Sequence, residues 1–210
     1  MARPIAKDHA EKRAHILQEA ARVFAEEGIA RASMSQVAAA CGISKANIYH
    51  YYGSKDALLF DILDTYLRAL RDRLACLDMN NLAPSEQLVR FVSETLLAYD
   101  GMDHEHKIQT EGIAVLGASE QVLLKGYQRD MVRQLSGILA SCAPDLADDA
   151  KRLHATTMSV FGMLNWFYMW NSGAKQAERE DYGQLVSDMV LGGVVTLTAL
   201  GLCRQCFVAR

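Results

Sequence analysis

Apolar residues recur at spacings of three and four along most of the 210-residue chain, and no stretch alternates with period two long enough to make a strand. The pattern predicts nine helices separated by Gly, Pro and Asn stops. Helix one spans about 8–27, with Ile16, Ala20, Val23 and Phe24 inward and Gly28 at its end. Helix two starts after Ser33, and helix three runs from Lys45 to about Tyr51. Helix four runs from Ser54 to about residue 77 on a stripe of Leu59, Ile62, Tyr66, Leu70 and Leu77. That is roughly 35 Å at ~1.5 Å per residue. After the Asn80–Pro84 turn, helix five places Leu88, Phe91, Val92, Thr95, Leu96 and Tyr99 on one face. Helix six covers about 105–116. Ser119 is the expected cap of helix seven, whose stripe runs Leu124, Tyr127, Met131, Leu135, Ile138 and Cys142. Helix eight covers about 147–171 and helix nine about 181–203. The expectation is an all-α chain: a three-helix head over 1–54, and a body over 55–210 whose first helix, 55–77, is a connector.

The densest local signals lie between Ser33 and Leu59. Ser33 with Gln36 three residues on is a capping box, so a helix starts there. Val37, Ala38 and Cys41 form its apolar side. Gly42 sits where the helix stops and the chain turns through positive φ. Ser44 caps the next short helix. Two short helices joined by a glycine turn make a helix-turn-helix, whose second helix can enter a DNA major groove.

The residues Val37-Ala38, Gly42-Ile43-Ser44, Ile48-Tyr49-His50-Tyr51-Tyr52 and Lys55 to Leu59 resemble the DNA-binding signature of the TetR family of bacterial transcriptional regulators. Tyr52 stands where that family usually has Phe, and Gly53 where Pro or Gly is common. The resemblance covers roughly the first 60 residues. It implies that Ser44, Lys45, Ala46, Asn47, Tyr49, His50 and Lys55 meet DNA. Chemistry divides the work. Ser33 and Ser44 place hydroxyls and amides at helix N-termini, which favour phosphate. Lys45 and Lys55 add cations there. Lys45 can reach guanine, Asn47 can be bidentate to adenine, and Ala46 can touch a thymine methyl. His50 suits either a base or a phosphate.

Charge adds a modest asymmetry. Residues 1–56 hold 8 Lys and Arg against 6 Asp and Glu, while residues 57–210 hold 14 against 19. A mildly basic head on an acidic body fits a head that meets phosphates. Arg3 and Lys7 would form a basic arm ahead of helix one. The five cysteines are scattered and odd in number, which reads as reduced thiols in a cytoplasmic protein. Cys203 and Cys206 form a C-x-x-C without a second ligand pair. The N-terminus lacks a signal-peptide core. The longest uncharged run, Met189 to Cys203, falls short of the roughly 18–20 residues that cross a bilayer, so no membrane partner is expected. His104 and His106 are two apart and point to different sides of a helix, so no metal site is expected.

In the body, helix eight carries Phe161, Met163, Leu164, Trp166, Phe167, Tyr168, Met169 and Trp170 around its whole circumference, so it should be buried on several sides. The family resemblance implies that the last two long helices form an intersubunit four-helix bundle, giving a homodimer on a pseudo-palindromic operator. It also implies a small-molecule sensor in the body. The expected lining is Phe91, Tyr99, Met131, Phe161, Trp166, Phe167 and Trp170, with Asn165 as a polar anchor. This suits an apolar or aromatic effector. The Gly162-to-Trp170 stretch resembles the branch of the family that senses acyl-coenzyme A thioesters. Lys107, Lys125, Arg129 and Arg133 either meet the phosphates of such a ligand or form an exposed basic face. Two other readings stay open: a DNA-binding dimer without an effector, and an all-α carrier or enzyme. The chain lacks H-E-x-x-H, a phosphate-binding G-x-x-x-x-G-K-[ST] and a Glu-x-x-His pair, and no cofactor is implied.

Overall fold

The computed structural model describes residues 3–208 and, within them, the side chains of residues 9–193. The described chain is all-helical, with ten helices: α1 Arg3–Glu27, α2 Met34–Ala40, α3 Lys45–Tyr51, α4 Lys55–Ala75, α5 Pro84–Ala98, α6 Asp103–Val115, α7 Ala118–Cys142, α8 Pro144–Ala147, α9 Ala150–Trp170 and α10 Gln176–Val208. Nine follow from the periodicity. The extra one, α8, is a single turn set by Pro144 at its first position, too short for a periodic signal. Several starts differ, two of them set by a glutamate. Helix α10 opens at Gln176 because Glu178 reaches back to the Lys175 N–H at 2.8 Å. Helix α7 is opened by Glu120, which accepts from the Gly117 N–H at 2.9 Å, and not by Ser119.

The chain forms two compact units. The first holds the chain up to Ala69 together with Met102–Tyr127; the second holds Leu70–Gly101 and the chain from Gln128 on. Helices α4 and α7 each pass from one unit into the other.

In the first unit, Ile16, Ala20, Phe24, Val37, Ile48, Leu58, Leu59, Ile62 and Leu63 make the core, each almost wholly removed from water. Helix α6 belongs to this core. Gly112 lets it approach closely: a Cβ there would lie 2.9 Å from Leu63 Cδ1, 3.3 Å from Leu59 Cδ1 and 3.4 Å from Ile29 Cδ1. Buried His106 of α6 shares a 2.8 Å hydrogen bond with the Tyr66 hydroxyl of α4, and the Tyr127 hydroxyl donates to Asp64 at 2.9 Å.

In the second unit, α5 packs against α10 and α9. Gly183 permits this contact, since a Cβ there would lie 2.9 Å from Ser93 Oγ and 3.2 Å from its Cα. Arg179 is 2 % exposed and donates to the carbonyls of Ala174 at 3.0 Å and Leu96 at 3.2 Å. Its guanidinium lies 5.6 Å from the Phe167 ring centre and 3.4 Å from Asp100. One buried cation thereby satisfies the carbonyl end of α5 and anchors the start of α10. The side chains of Arg3, Lys7, Cys203 and Cys206, and those of the uncharged run beyond Gly193, lie outside the described residues. No helix searched among the described residues is long and apolar enough to cross a membrane.

Candidate nucleic-acid interface

The helix-turn-helix is built largely by local chemistry. The Ser33 hydroxyl accepts from the Gln36 N–H at 3.3 Å, and the Gln36 side chain accepts from the Ser33 N–H at 2.9 Å, closing the capping box. Gly42 adopts φ +65°, a left-handed conformation that ends α2 without a Cβ penalty. The Ser44 hydroxyl then accepts from the Asn47 N–H at 3.1 Å, which starts α3. Ser54 does the same for α4, accepting from the Ala57 N–H at 3.1 Å.

Helix α3 has one wholly buried residue, Ile48 at 0 % exposure. Around it, Lys45, Ala46, Asn47, Tyr49 and His50 are all exposed, as are Ser33 and Ser44. The expected base-reading groups thus share the open side of one short helix, while the expected phosphate contacts Ser33 and Lys55 lie at the starts of α2 and α4. Tyr51 turns back: its ring stacks on His9 at 5.1 Å between ring centres, tying α1 to the end of α3.

Longer-range polar contacts fix the angle of this helix. Tyr52 is 7 % exposed and its hydroxyl donates to Asp61 of α4 at 2.6 Å. Arg13 of α1 donates to the same carboxylate at 3.1 Å through Nε. Burial and then the Asp61 contact push the Tyr52 phenol well above its ordinary range, so it stays a donor. Sequence reading places Tyr52 as an aromatic plug but misses Asp61 and Arg13, which are 48 positions apart and carry no local signal. Lys55 is half-buried. Its ammonium donates to the carbonyls of Ile29 at 2.8 Å, Ala30 at 3.2 Å and Ala32 at 3.1 Å.

Residues 16–62 match the family described as bacterial regulatory proteins, tetR family. Residues 81–194 match the tetracyclin repressor-like C-terminal domain. The chain belongs to the TetR family. Its relatives include the HTH-type transcriptional regulator BetI of Rhizobium meliloti, 30% identical over 154 residues, which cover 68% of this chain and 70% of that one. A TetR-family regulator from Bordetella parapertussis is similar in structure, with a TM-score of 0.80 and 27% identity over 85% of this chain and 93% of that one. AibR, solved with isovaleryl coenzyme A and operator DNA, shares the fold at a TM-score of 0.67 and 22% identity, covering 87% and 97%. TetR-family proteins are DNA-binding transcriptional regulators without enzymatic activity, typically ligand-responsive repressors.

The candidate ligand residues divide in two. Phe91, Tyr99, Met131, Phe161 and Phe167 are buried in the second unit. Phe91 and Phe161 meet edge to face at 6.3 Å. The Tyr99 hydroxyl donates to Asn165 at 2.8 Å, and burial pushes that phenol well above its ordinary range. Trp166 does not join them, and Trp170 meets them only at the rim, edge-on to Phe167 at 5.1 Å and to Tyr182 of α10 at 5.2 Å between ring centres. The two tryptophans are 61% and 57% exposed. The sequence shows that this helix is apolar all round, but not which aromatic faces inward. Lys107, Lys125, Arg129 and Arg133 are exposed on α6 and α7. Among the described residues, no three His, Cys, Asp or Glu side chains come close enough to hold a metal ion.

Proposed function

We propose that this regulator is a repressor that binds a pseudo-palindromic operator as a homodimer and is released by a small apolar or aromatic effector of the acyl-coenzyme A class. The observation that carries the DNA part is the open side of α3, where Lys45, Ala46, Asn47, Tyr49 and His50 surround one buried anchor. Lys45 and the Ser33 and Ser44 helix starts take phosphates, while Asn47 and Ala46 read base edges.

The dimer part rests on α9 and α10. Met158, Trp166, Met169 and Trp170 on α9 and Leu185 and Met189 on α10 are all between 46% and 61% exposed. Large apolar groups at helical spacing on two neighbouring helices need a cover. A second copy supplies the same stripe, which fits an isologous interface. The effector part rests on the buried Phe91, Phe161 and Phe167 beside one polar pair, Tyr99 with Asn165, and on the likeness to a fold that AibR uses with isovaleryl coenzyme A.

The test is binding to the promoter regions flanking its own gene, at fixed physiological salt, with and without a panel of acyl-coenzyme A thioesters. Tight binding released by one thioester is the expected result. Tight binding that no thioester releases would remove the effector class and leave a regulator. Absence of specific binding would remove the operator reading.

A further inference from the structure

We propose that Lys55 is a positioning residue for DNA binding, which pins the two ends of the helix-turn-helix together and makes no phosphate contact of its own. Its place at the start of α4 and its charge suggest a phosphate ligand, but the geometry points inward. A lysine ammonium has three donors. Here the carbonyls of Ile29, Ala30 and Ala32 occupy all three, at 2.8, 3.2 and 3.1 Å.

These carbonyls belong to the turn that follows Gly28, at φ +83°, and immediately precedes the Ser33 cap of α2. Lys55 itself lies three residues beyond Tyr52, which closes α3. One ammonium therefore joins the chain entering α2 to the chain leaving α3. Between those points lie the groups expected to touch DNA: the Ser33 and Ser44 helix starts and the open side of α3. Their mutual registry depends on that closure. Moving the ammonium to a phosphate would leave three carbonyls without their partner at once.

The side chain's shape makes the assignment testable. An ammonium presents three donors around one point, whereas a guanidinium presents a planar fork that suits phosphate. Arginine would preserve a phosphate contact and lose the three-carbonyl clasp.

The inference rests on the DNA-binding reading, so the experiment starts with a duplex that the wild-type protein enriches from a random-sequence library. Affinity for that duplex is measured over a salt series for wild type, Lys55→Met and Lys55→Arg, well below each protein's melting temperature. Both variants are expected to lose affinity by roughly tenfold or more, the scale of a few lost hydrogen bonds. The slope of log affinity against log salt should match that of wild type. Three results would overturn the proposal. Lys55→Arg could bind as wild type does. The Lys55→Met slope could drop by about 0.9, the value of one phosphate contact. Or both variants could melt earlier yet bind undiminished, which is a merely structural role. If neither variant folds, the ammonium 15N resonance of Lys55 in wild type decides. A clasped ammonium exchanges slowly and keeps its shift when the duplex is added; a phosphate ligand moves. A wild-type protein that enriches no duplex would instead fail the DNA-binding reading itself.

Discussion

At the residue scale, exposure separates groups that act on DNA from groups that hold the head together. Asn47 projects from α3 into solvent, while its backbone N–H, not its side chain, serves the Ser44 cap. Asn47→Ala should therefore leave stability within about 0.5 kcal/mol of wild type. It should change base preference at one operator position by about 1–3 kcal/mol, the worth of a bidentate contact to adenine. Enrichment of randomised duplexes reads this directly, and an unchanged preference profile would end the reading role. Ile48 is the opposite case. Its full burial makes Ile48→Ala cost about 2–5 kcal/mol of head stability. Glu105 gives a pH-dependent test. Burial raises its carboxyl above the ordinary value, outweighing a backbone hydrogen bond and the nearby His104. The folded chain therefore holds that proton more tightly than the unfolded chain, so stability falls as pH rises through the carboxylate range. Glu105→Gln should raise the urea midpoint at neutral pH, and the gain should vanish in acid where both states are protonated. A wild type as stable as the variant at neutral pH would contradict this.

At the element scale, helix starts are legible where a Ser cap directly precedes an apolar-periodic run. Ser33 with Gln36, Gly42, Ser44 and Ser54 all act as their local chemistry dictates, because caps and turns involve neighbours in sequence. The starts that differ at α7, α9 and α10, and the extra α8, are set by a Glu reaching back, an Asp cap or a Pro at the first position, signals outweighed by the apolar pattern, while α1 extends beyond its apolar stripe to Arg3. Close approach between elements is not legible. Gly183 looks like a weak point in a helix, and on propensity alone Gly→Ala should add about 1 kcal/mol. The Ser93 Cα, 3.2 Å from where an added Cβ would lie, reverses that sign. Gly183→Ala is expected to destabilise by about 1–3 kcal/mol. Gly137 on α7 has open space, so Gly137→Ala should stabilise by about 0.5–1 kcal/mol. Denaturant titration of the pair tests the argument, and two shifts of the same sign would refute it.

At the scale of the whole molecule, the exposed stripe on α9 and α10 carries the proposed assembly. Replacing Trp166 with Asp places a charge at a largely exposed apolar position on that stripe. The variant is expected to sediment as a monomer and to lose operator affinity while keeping its helical content. A dimer of unchanged stability would move the interface elsewhere. Effector and operator should also be reciprocally coupled: if effector weakens DNA binding by some factor, saturating DNA must weaken effector binding by the same factor. Titrating a releasing thioester into free protein and into the DNA complex measures both sides. Equal effector affinities in the two titrations would show that release does not pass through this equilibrium.

What the sequence determined by itself was the all-helical class, the helix-turn-helix and its exposed face. Each depends on neighbours three or four positions apart, whose geometry the backbone fixes. The tertiary structure decided which side of the aromatic α9 is buried, sending Phe161 and Phe167 inward and leaving Trp166 and Trp170 largely exposed. It also decided the partners of Asp61, Lys55 and Arg179, whose contacts join residues up to 83 positions apart in the case of Arg179 and Leu96. A charged side chain carries its hydrogen-bonding capacity in its chemistry, but only the folded chain determines whether that capacity faces DNA or a carbonyl of the protein itself.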